Sequence, residues 1–245
     1  HCVTRRQRQM CIRDSVKALV NSIESEKIHQ AFIFSGTRGV GKTTIARILA
    51  KCLNCESNSK PTSVPCNKCS NTIEITAGRS VDFLEIDAAS NTQVEKIRDL
   101  IETVEYKPAK GRYKIFLIDE VHMLSPASFN ALLKTLEEPP PHVVFIFATT
   151  NPEKIPKTVQ SRCLQLSLKT VNEEMLNNHL NKILKKEKIK HDNESTQLIS
   201  QSANGSVRDA LTILDQAIAH GNGELNSNEV KKLLGTIDDS LLFEL

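Results

Sequence analysis

Residues 36–43 read GTRGVGKT, a complete Gly-x-x-x-x-Gly-Lys-Thr phosphate loop. The apolar run at residues 31–34 predicts a buried parallel strand before the loop, and Ile45, Ile48, Leu49 and Leu53 follow the loop at helical spacing. Between a strand and a helix, the loop can wrap a polyphosphate with its backbone N–H groups, aided by the helix N-terminus. The alternative is a glycine-rich turn that matches by chance, and the flanking strand and helix argue against it.

We expect the loop and the start of the helix to bind a nucleoside triphosphate. Lys42 can reach the outer phosphates, and the Thr43 hydroxyl can bind Mg²⁺. The predicted binding residues are Gly36, Thr37, Arg38, Gly39, Val40, Gly41, Lys42, Thr43 and Thr44.

A second apolar run, residues 114–118, ends in the acidic pair Asp119-Glu120. At the end of a strand, Asp119 can hold Mg²⁺ through water, and Glu120 can orient and deprotonate an attacking water molecule. An acidic pair in this position is often only a helix cap or a solvated turn. Because this pair follows a phosphate loop, the sequence favours hydrolysis of the nucleotide.

The composition is typical of a globular protein, with 39% hydrophobic and 25% charged residues among 245. The sequence contains neither an apolar run long enough for a transmembrane helix nor a secretory signal, so we expect a cytoplasmic protein. Residues 1–14 contain four arginines and one aspartate, which gives 4 − 1 = +3, the net charge of the whole chain. The remainder is neutral, so bulk charge does not predict direct binding of nucleic acid.

Four of the seven cysteines form two Cys-x-x-Cys units, Cys52 with Cys55 and Cys66 with Cys69. Thiolates at this spacing suit a tetrahedral Zn²⁺. The alternative is a set of reduced thiols, because Cys52 also lies in phase with the apolar face of the preceding helix and can be a core residue. We expect a zinc site in this segment and no disulfide framework.

The rest of the chain separates into two regions. Three further segments predict strands, at residues 81–86, 143–148 and 164–168, and the second of them is a continuous apolar run. Helices are expected at residues 94–104 and from Ser125-Pro126 to Pro139. This alternation predicts an α/β domain with a parallel sheet and helices on both faces. From about Thr170 the pattern is helical only, at residues 173–186, 194–203 and 207–220, which predicts a second, all-helical domain.

Three polar residues outside the loop can act on the phosphates. Thr150 follows the strand at 143–148 and would stand beside the phosphate loop, where it could sense the terminal phosphate or position water. Arg162 and Arg208 can be ordinary surface charges. A guanidinium group nevertheless suits a phosphoryl transition state, and a neighbouring subunit or domain can supply it.

These motifs resemble those of the tau/gamma subunits of bacterial DNA polymerase III, the ATP-hydrolysing motors of the sliding-clamp loader within the AAA+ superfamily. Six segments carry the resemblance: FSGTRGVGKT (34–43), EIDAAS (85–90), LIDEVHML (117–124), FNALLKTLEEPP (129–140), SRC (161–163) and GSVRDAL (205–211). The resemblance extends from about Val16 to the end of the chain.

The resemblance implies a domain order. An AAA+ P-loop NTPase domain would span residues 15–169 with a zinc module inserted at 52–72, and a small all-helical lid domain would follow at 170–238. Residues 1–14 match neither of the adenine-contacting motifs that the family carries before its first helix, and we interpret them as a foreign segment. Residues 239–245 would begin a collar domain that is cut short.

The resemblance also implies roles for single residues. Lys42 and Thr43 would hold phosphate and Mg²⁺, and Asp119 and Glu120 would be the metal-binding and water-activating carboxylates. Thr150 would be the first sensor.

The two arginines and the cysteines acquire roles in the same way. Arg208 would be the second sensor in cis, and Arg162 would act in trans as the arginine finger of a neighbouring subunit. The family's zinc ligands match Cys55, Cys66 and Cys69, whereas its fourth position falls on Thr72. Either Cys52 substitutes, or the metal is weakened or lost. We favour Cys52 as the fourth ligand, which requires the helix to end before it.

The implied function is that of a motor subunit that uses ATP, Mg²⁺ and Zn²⁺ and loads a sliding clamp onto primed DNA. Its partners would be the other clamp-loader subunits in a hetero-oligomeric ring, the clamp, primed DNA through the assembly and, in longer forms, the polymerase core, with no membrane. Alternatives are a non-catalytic scaffold subunit of this assembly and an AAA+ helicase motor for DNA junctions. The intact phosphate loop and acidic pair disfavour the scaffold, and the cysteine module disfavours the junction motor.

Overall fold

The structure, a computed structural model, describes residues 12–90, 94–221 and 223–235. Two compact units are present, and the first contains the described residues up to Gly36 together with Lys42–Leu168. The second contains Thr37–Gly41 and the described residues from Lys169 onward. The expectations for residues 1–11 and 239–245 lie outside the described residues. Among the described helices, none has the length and apolarity needed to cross a membrane.

The first unit alternates strands with helices, as the sequence predicts. Its strands are β1 (Ala31–Ser35), β2 (Phe83–Asp87), β3 (Lys114–Asp119), β4 (Val143–Thr149) and β5 (Leu164–Ser167). Its helices are α1 (Ile12–Glu24), α2 (Lys42–Asn54), α3 (Ser70–Thr76), α4 (Val94–Val104), α5 (Pro126–Glu137) and α6 (Lys157–Gln160). Short 3₁₀ turns lie at Val121–Met123 and Pro152–Lys154.

The strands described form one parallel sheet of order β2-β3-β4-β1-β5. Strands β1 and β4 are buried along their whole length, which explains why both read as continuous apolar runs. Helices α4 and α5 enclose a core with one face of the sheet, through residues such as Ile97, Leu132 and Phe145. Helix α2 contacts β3 and β4.

Local signals place several helix boundaries. The Ser125 side chain accepts a hydrogen bond from Ser128 N and caps α5, whose first residue is Pro126, as predicted. Strand β2 begins at Phe83, two residues later than predicted. The Asp82 carboxylate before it is buried. It accepts three backbone N–H groups from residues 109–111 at 2.6–2.7 Å. Helices α3 and α6 were not predicted.

Helix α2 differs from its predicted packing. The buried face contains Ala46, Leu49, Ala50 and Leu53, whereas Ile48 is exposed. The sequence placed Ile48 on the apolar face because its spacing from Ile45 and Leu49 permits that assignment. In the structure, the fully buried positions of this helix include Ala46 and Ala50, two residues that carry no strong hydrophobic signal in the sequence.

The second unit is helical, with α7 (Glu173–Glu187), α8 (Asn193–Ser202), α9 (Val207–His220) and α10 (Ser227–Leu234). Its separate core includes Leu176, Leu180, Ile199 and Leu214. Side chains of Asn172, Asp192 and Ser206 cap α7, α8 and α9. The first three helices agree with the sequence prediction, and α10 was not predicted.

Candidate active site

Polar residues converge where three neighbouring strands of the first unit end, which we call the carboxyl edge of the sheet. Asp119 ends β3 and is followed by Glu120, Thr149 ends β4 and is followed by Thr150, and Gly36 follows β1. The strands lie in the order β3-β4-β1, and Gly36 N donates a 3.2 Å hydrogen bond to Thr149 O. In open α/β sheets, ligands bind at this edge.

The phosphate loop requires glycine at two positions by conformation. Gly39 and Gly41 have φ of +79° and +92°, values that L side chains rarely adopt. Lys42 begins α2 and is buried, and its Nζ donates a 2.9 Å hydrogen bond to the Gly36 carbonyl. This bond joins the end of the loop to its beginning and holds an ammonium group at the N-terminus of a helix. Such an arrangement is suited to phosphate binding.

Thr43 and Asp119 place two oxygen atoms together. The Thr43 hydroxyl donates a 2.9 Å hydrogen bond to Asp119 Oδ2, and Asp119 Oδ1 accepts the backbone N–H of Glu120 at 2.9 Å. Hydroxyl and carboxylate oxygens are the ligands that Mg²⁺ prefers. The pair therefore fits a magnesium ion shared with nucleotide phosphates.

Glu120 is held in an unusual conformation. Its backbone has φ 46° and ψ 43°, in the left-handed region that few non-glycine residues occupy. Its Oε2 atom accepts hydrogen bonds from Thr150 N at 3.3 Å and Thr150 Oγ1 at 3.1 Å. The structure thus brings Glu120 and Thr150 into direct contact. Backbone strain of the kind seen at Glu120 is concentrated at functional sites.

His122 joins this cluster, although the sequence analysis assigned it no role. Its Nδ1 lies 3.0 Å from Thr149 Oγ1 and 3.4 Å from Glu120 Oε2, and its side chain is 8% exposed. The available signal was its position two residues after Glu120. His122 stays close to the acidic end of β3 because it lies in the 3₁₀ turn at Val121–Met123.

The two arginines occupy different places. Arg162 stands two residues before β5, at the amino edge where the strands begin, and donates hydrogen bonds to Thr158 O at 2.6 Å and Glu137 Oε1 at 2.7 Å. Arg208 lies in the first turn of α9, in the second unit, which also contains Thr37–Gly41 of the phosphate loop. Its Cβ atom stands beside Gly39, 3.2 Å from the position that a Cβ on that glycine would occupy. Arg208 is therefore a neighbour of the loop, whereas Arg162 is not a member of the cluster around Glu120.

Three cysteines form a separate candidate metal site. The sulfur atoms of Cys55, Cys66 and Cys69 all lie within 4.8 Å of one another. Tetrahedral zinc with bonds of about 2.3 Å needs sulfur atoms about 3.8 Å apart. The backbone N–H groups of Lys68 and Cys69 lower the pKa of the Cys66 thiol to about 6. Zinc binds thiolates, so the group fits a zinc ion.

Cys52 does not belong to this group. The sequence analysis favoured Cys52 as the fourth ligand on the condition that the helix ends before it, but α2 continues through Cys52 to Asn54, so the condition is not met. The thiol is buried and donates a weak 3.7 Å hydrogen bond to Ser63 O. Burial, with the nearby Cys55, raises its pKa to about 11. Two hydroxyl oxygens lie beside the three thiols: Ser57 Oγ is 2.9 Å from Cys55 Sγ, and Oγ1 of the buried Thr72, where the resemblance implies the fourth ligand, is 3.2 Å from Cys69 Sγ.

The parallel sheet, the phosphate loop, the acidic pair and the helical unit that follows define an AAA+ P-loop ATPase fold. The Holliday junction branch migration motor RuvB of Thermotoga maritima has the same fold, with a TM-score of 0.65 and 16% identity. That likeness covers 93% of this chain and 70% of the RuvB chain, and at this identity it concerns the fold alone.

Two family profiles match consecutive parts of the chain. Residues 12–172 match the family described as DNA polymerase III, delta subunit, and residues 175–223 match the ATPase lid domain of the DNA polymerase III clamp loader subunit. The chain therefore belongs to the DNA polymerase III clamp-loader subunit family. The first match begins at residue 12, inside the segment 1–14 that the sequence analysis left unmatched.

Curated relatives carry the names tau and gamma. The chain is 55% identical over 228 residues to DNA polymerase III subunit tau of Salmonella typhimurium, covering 93% of this chain and 35% of the relative. It is 54% identical to subunit gamma of Buchnera aphidicola subsp. Schizaphis graminum, covering 90% and 60%. It is 43% identical to subunit tau of Bacillus subtilis, covering 94% and 40%. The chain thus spans about a third of the length of the first of these relatives.

These findings confirm the resemblance to tau/gamma subunits and the AAA+ fold with a helical lid. The roles of single residues, the zinc ion and the partners stay predictions.

Proposed function

We propose that this chain is an ATP-binding and ATP-hydrolysing motor of a clamp loader. The observation that carries the proposal is the geometry of the acidic pair: Asp119 is bonded to Thr43 of the phosphate-loop helix, while Glu120 is directed to Thr150. One carboxylate is thereby committed to the metal position and the other remains available for water. In a solvated turn or a helix cap, the two carboxylates would not have these two different partners.

The site residues can divide the work of hydrolysis between them. Lys42 and the loop N–H groups would bind the phosphates, and Thr43 with Asp119 would hold Mg²⁺, which neutralises charge on the transferred phosphoryl group. Glu120 would orient a water molecule for attack on the γ-phosphorus and accept its proton as the bond to the ADP oxygen breaks. Thr150 would align Glu120 and detect the γ-phosphate.

Arg162 would complete a neighbour's site, not its own. Leu164 pairs with Phe32 near the start of β1, and Arg162 precedes Leu164 by two residues, whereas Gly36 follows the end of β1. The length of β1, about 13 Å at 3.3 Å per residue, therefore separates Arg162 from its own loop along the strand direction. This position supports the proposal that the guanidinium would act on a nucleotide of an adjacent subunit. Arg208 would contribute from the lid in cis.

The partners in this proposal come from the family. The chain would assemble with other clamp-loader subunits in a ring, open the sliding clamp and load it on primed DNA, in the cytoplasm. Longer forms would join the polymerase core in the nucleotidyltransferase holoenzyme. The neutral charge of residues 15–245 supports contact with DNA through the assembly and not through a general basic surface.

We also propose one structural zinc ion held by Cys55, Cys66 and Cys69. A tetrahedral site needs a fourth ligand, and Thr72 Oγ1 or water is better placed than Cys52, whose side chain belongs to the buried face of α2. An oxygen ligand would hold zinc less firmly than a fourth thiolate.

Two substitutions test the ATPase. Glu120→Gln should keep ATP binding and lower turnover by roughly a hundredfold or more, because general-base catalysis contributes this much. Lys42→Ala should abolish tight binding. Both are measured by fluorescent-nucleotide titration and by phosphate release from the chain assembled with clamp-loader subunits and clamp. Glu153→Gln, an exposed glutamate after β4, is the matched control. A parent chain that neither binds nor hydrolyses ATP would indicate the scaffold subunit instead.

A further inference from the structure

We propose that His122 is a positioning residue of the hydrolytic site, whose Nδ1–H group bridges Thr149 and Glu120 and fixes the orientation of the Glu120 carboxylate. This inference rests on the proposed ATPase function and deepens it. His122 would not touch the nucleotide; it would act through Glu120.

The contacts of His122 are short and enclosed. Its Nδ1 lies 3.0 Å from Thr149 Oγ1 and 3.4 Å from Glu120 Oε2, and only 8% of the side chain is exposed. Thr149 is fully buried at the end of β4, and its Oγ1 also accepts the backbone N–H of Asn151 at 3.0 Å. The imidazole therefore connects the ends of β3 and β4 at the point where the water-activating carboxylate emerges.

The surroundings decide which ring nitrogen carries the proton. If Nδ1 had a lone pair, that lone pair would face a carboxylate oxygen at 3.4 Å, and the two would repel each other. With a proton on Nδ1, the N–H donates to Thr149 Oγ1 and is attracted by Glu120 Oε2. The Thr149 oxygen can accept from both His122 and Asn151, since a hydroxyl has two acceptor sites. The geometry therefore favours the Nδ1–H form.

The consequence concerns the two oxygens of Glu120. Oε2 receives the N–H and O–H of Thr150 and faces the Nδ1–H of His122, whereas Oε1 accepts no hydrogen bond from the described residues. One oxygen is held and the other remains for water. The backbone of Glu120 is strained in the left-handed region. Without Thr150 and His122, its side chain could leave the orientation in which Oε1 is available to water. His122 and Thr150 support the same oxygen from two different strand ends.

Two variants of His122 separate positioning from packing. His122→Phe keeps a flat ring and removes the N–H group, whereas His122→Asn keeps a donor close to the position of Nδ1. We expect His122→Phe to lower single-turnover hydrolysis by roughly tenfold to a hundredfold in the assembled loader, with an unchanged dissociation constant for ATP. His122→Asn should recover most of the rate. On a Glu120→Gln background, His122→Phe should cause no further loss.

A measurement on the parent chain needs no variant. Two-bond ¹H–¹⁵N spectra of ¹⁵N-histidine-labelled chain report which nitrogen of each histidine is protonated, and assignment uses His122→Asn. His142→Phe is the control variant, because it also replaces a part-buried histidine. His142 bonds to Val104 O at the amino edge of the sheet, at the other end of β4 from His122.

An Nε2–H imidazole at His122, or parental hydrolysis by His122→Phe, would overturn the proposal. A His122→Phe chain that fails to fold leaves the spectra of the parent to decide. Failure of the proposed function looks different: the parent would show no hydrolysis at all, whatever the tautomer of His122.

Discussion

The Thr43 hydroxyl donates a 2.9 Å hydrogen bond to Asp119 Oδ2 and so joins the first turn of α2 to the end of β3. These residues are 76 positions apart in the chain, and the parallel sheet brings them together. Both atoms are oxygens, and both lie where the phosphate loop ends. We therefore propose this pair as the place where a magnesium ion would be bound.

Asp119→Asn should remove most of the magnesium dependence of nucleotide binding. An amide lacks the charge that attracts the ion, so we expect the enhancement of ATP-analogue affinity by Mg²⁺ to fall about tenfold or more. Titrations with Mg²⁺ and with EDTA measure it. Asp87→Asn is the control, because Asp87 ends β2 at the same edge but caps Ala89 N and Ser90 Oγ. An equal loss in both variants would contradict the assignment.

Arg162→Ala should leave ATP affinity of the isolated chain unchanged and lower clamp- and DNA-stimulated hydrolysis by the complex. Arginine fingers contribute roughly 10³–10⁵ in rate. Arg98→Ala, an exposed arginine on α4, is the matched control. Glu137→Gln should have little effect on stability, since the Arg162–Glu137 pair is partly exposed. Loss of ATP binding by the isolated Arg162→Ala chain would place Arg162 in its own site.

The metal content of purified variants should separate the cysteines into two classes. We expect one zinc per chain in the parent and in Cys52→Ala, and loss of zinc in Cys66→Ser. Thr72→Cys should bind zinc more tightly, because a fourth thiolate would close the coordination shell. Zinc release to a chromogenic chelator ranks the affinities. A parent without zinc would refute the site, and weakened binding in Cys52→Ala would restore Cys52 as a ligand.

Asp192 should make the helical unit less stable in acid. Burial opposes its ionisation, but hydrogen bonds from Ser195 and Ser227 outweigh burial and lower its pKa. A lowered folded-state pKa means that this stability is present above the unfolded value, near 3.9, and is lost as pH falls through the folded value. Asp192→Ala should cost about 1 kcal/mol near neutral pH and flatten this acid dependence.

Urea unfolding of Asp192→Ala between pH 2 and pH 7 measures both effects. The control is Asp215→Ala, an exposed aspartate on α9. Unchanged stability of Asp192→Ala at pH 7 would show that the cap contributes nothing.

The elements that surround the phosphate loop could be predicted from neighbouring residues alone. Strand β1, helix α2 and the acidic end of β3 each follow from a continuous apolar run, a helical period or a motif of eight residues or fewer. Ser125 and Pro126 likewise mark the start of α5. The family resemblance, which rests on the same short motifs, is confirmed by the family matches.

The contacts between those elements required the tertiary structure. The Thr150–Glu120 bond and the His122–Thr149 bond join residues that are 30 and 27 positions apart, and they depend on the adjacency of β3 and β4. Periodicity could not decide whether Cys52 faces the core or the other thiols, or whether Ile48 or Ala46 is buried.

By itself, the sequence determined the type and order of the elements and the class of nucleotide-binding protein, because short-range patterns specify strands, helices and loops. Strand order, the exclusion of Cys52 from the thiol group and the fixing of Glu120 were decided only in the folded chain. Each depends on which distant side chains compete for the same buried space and for the same hydrogen-bond partners.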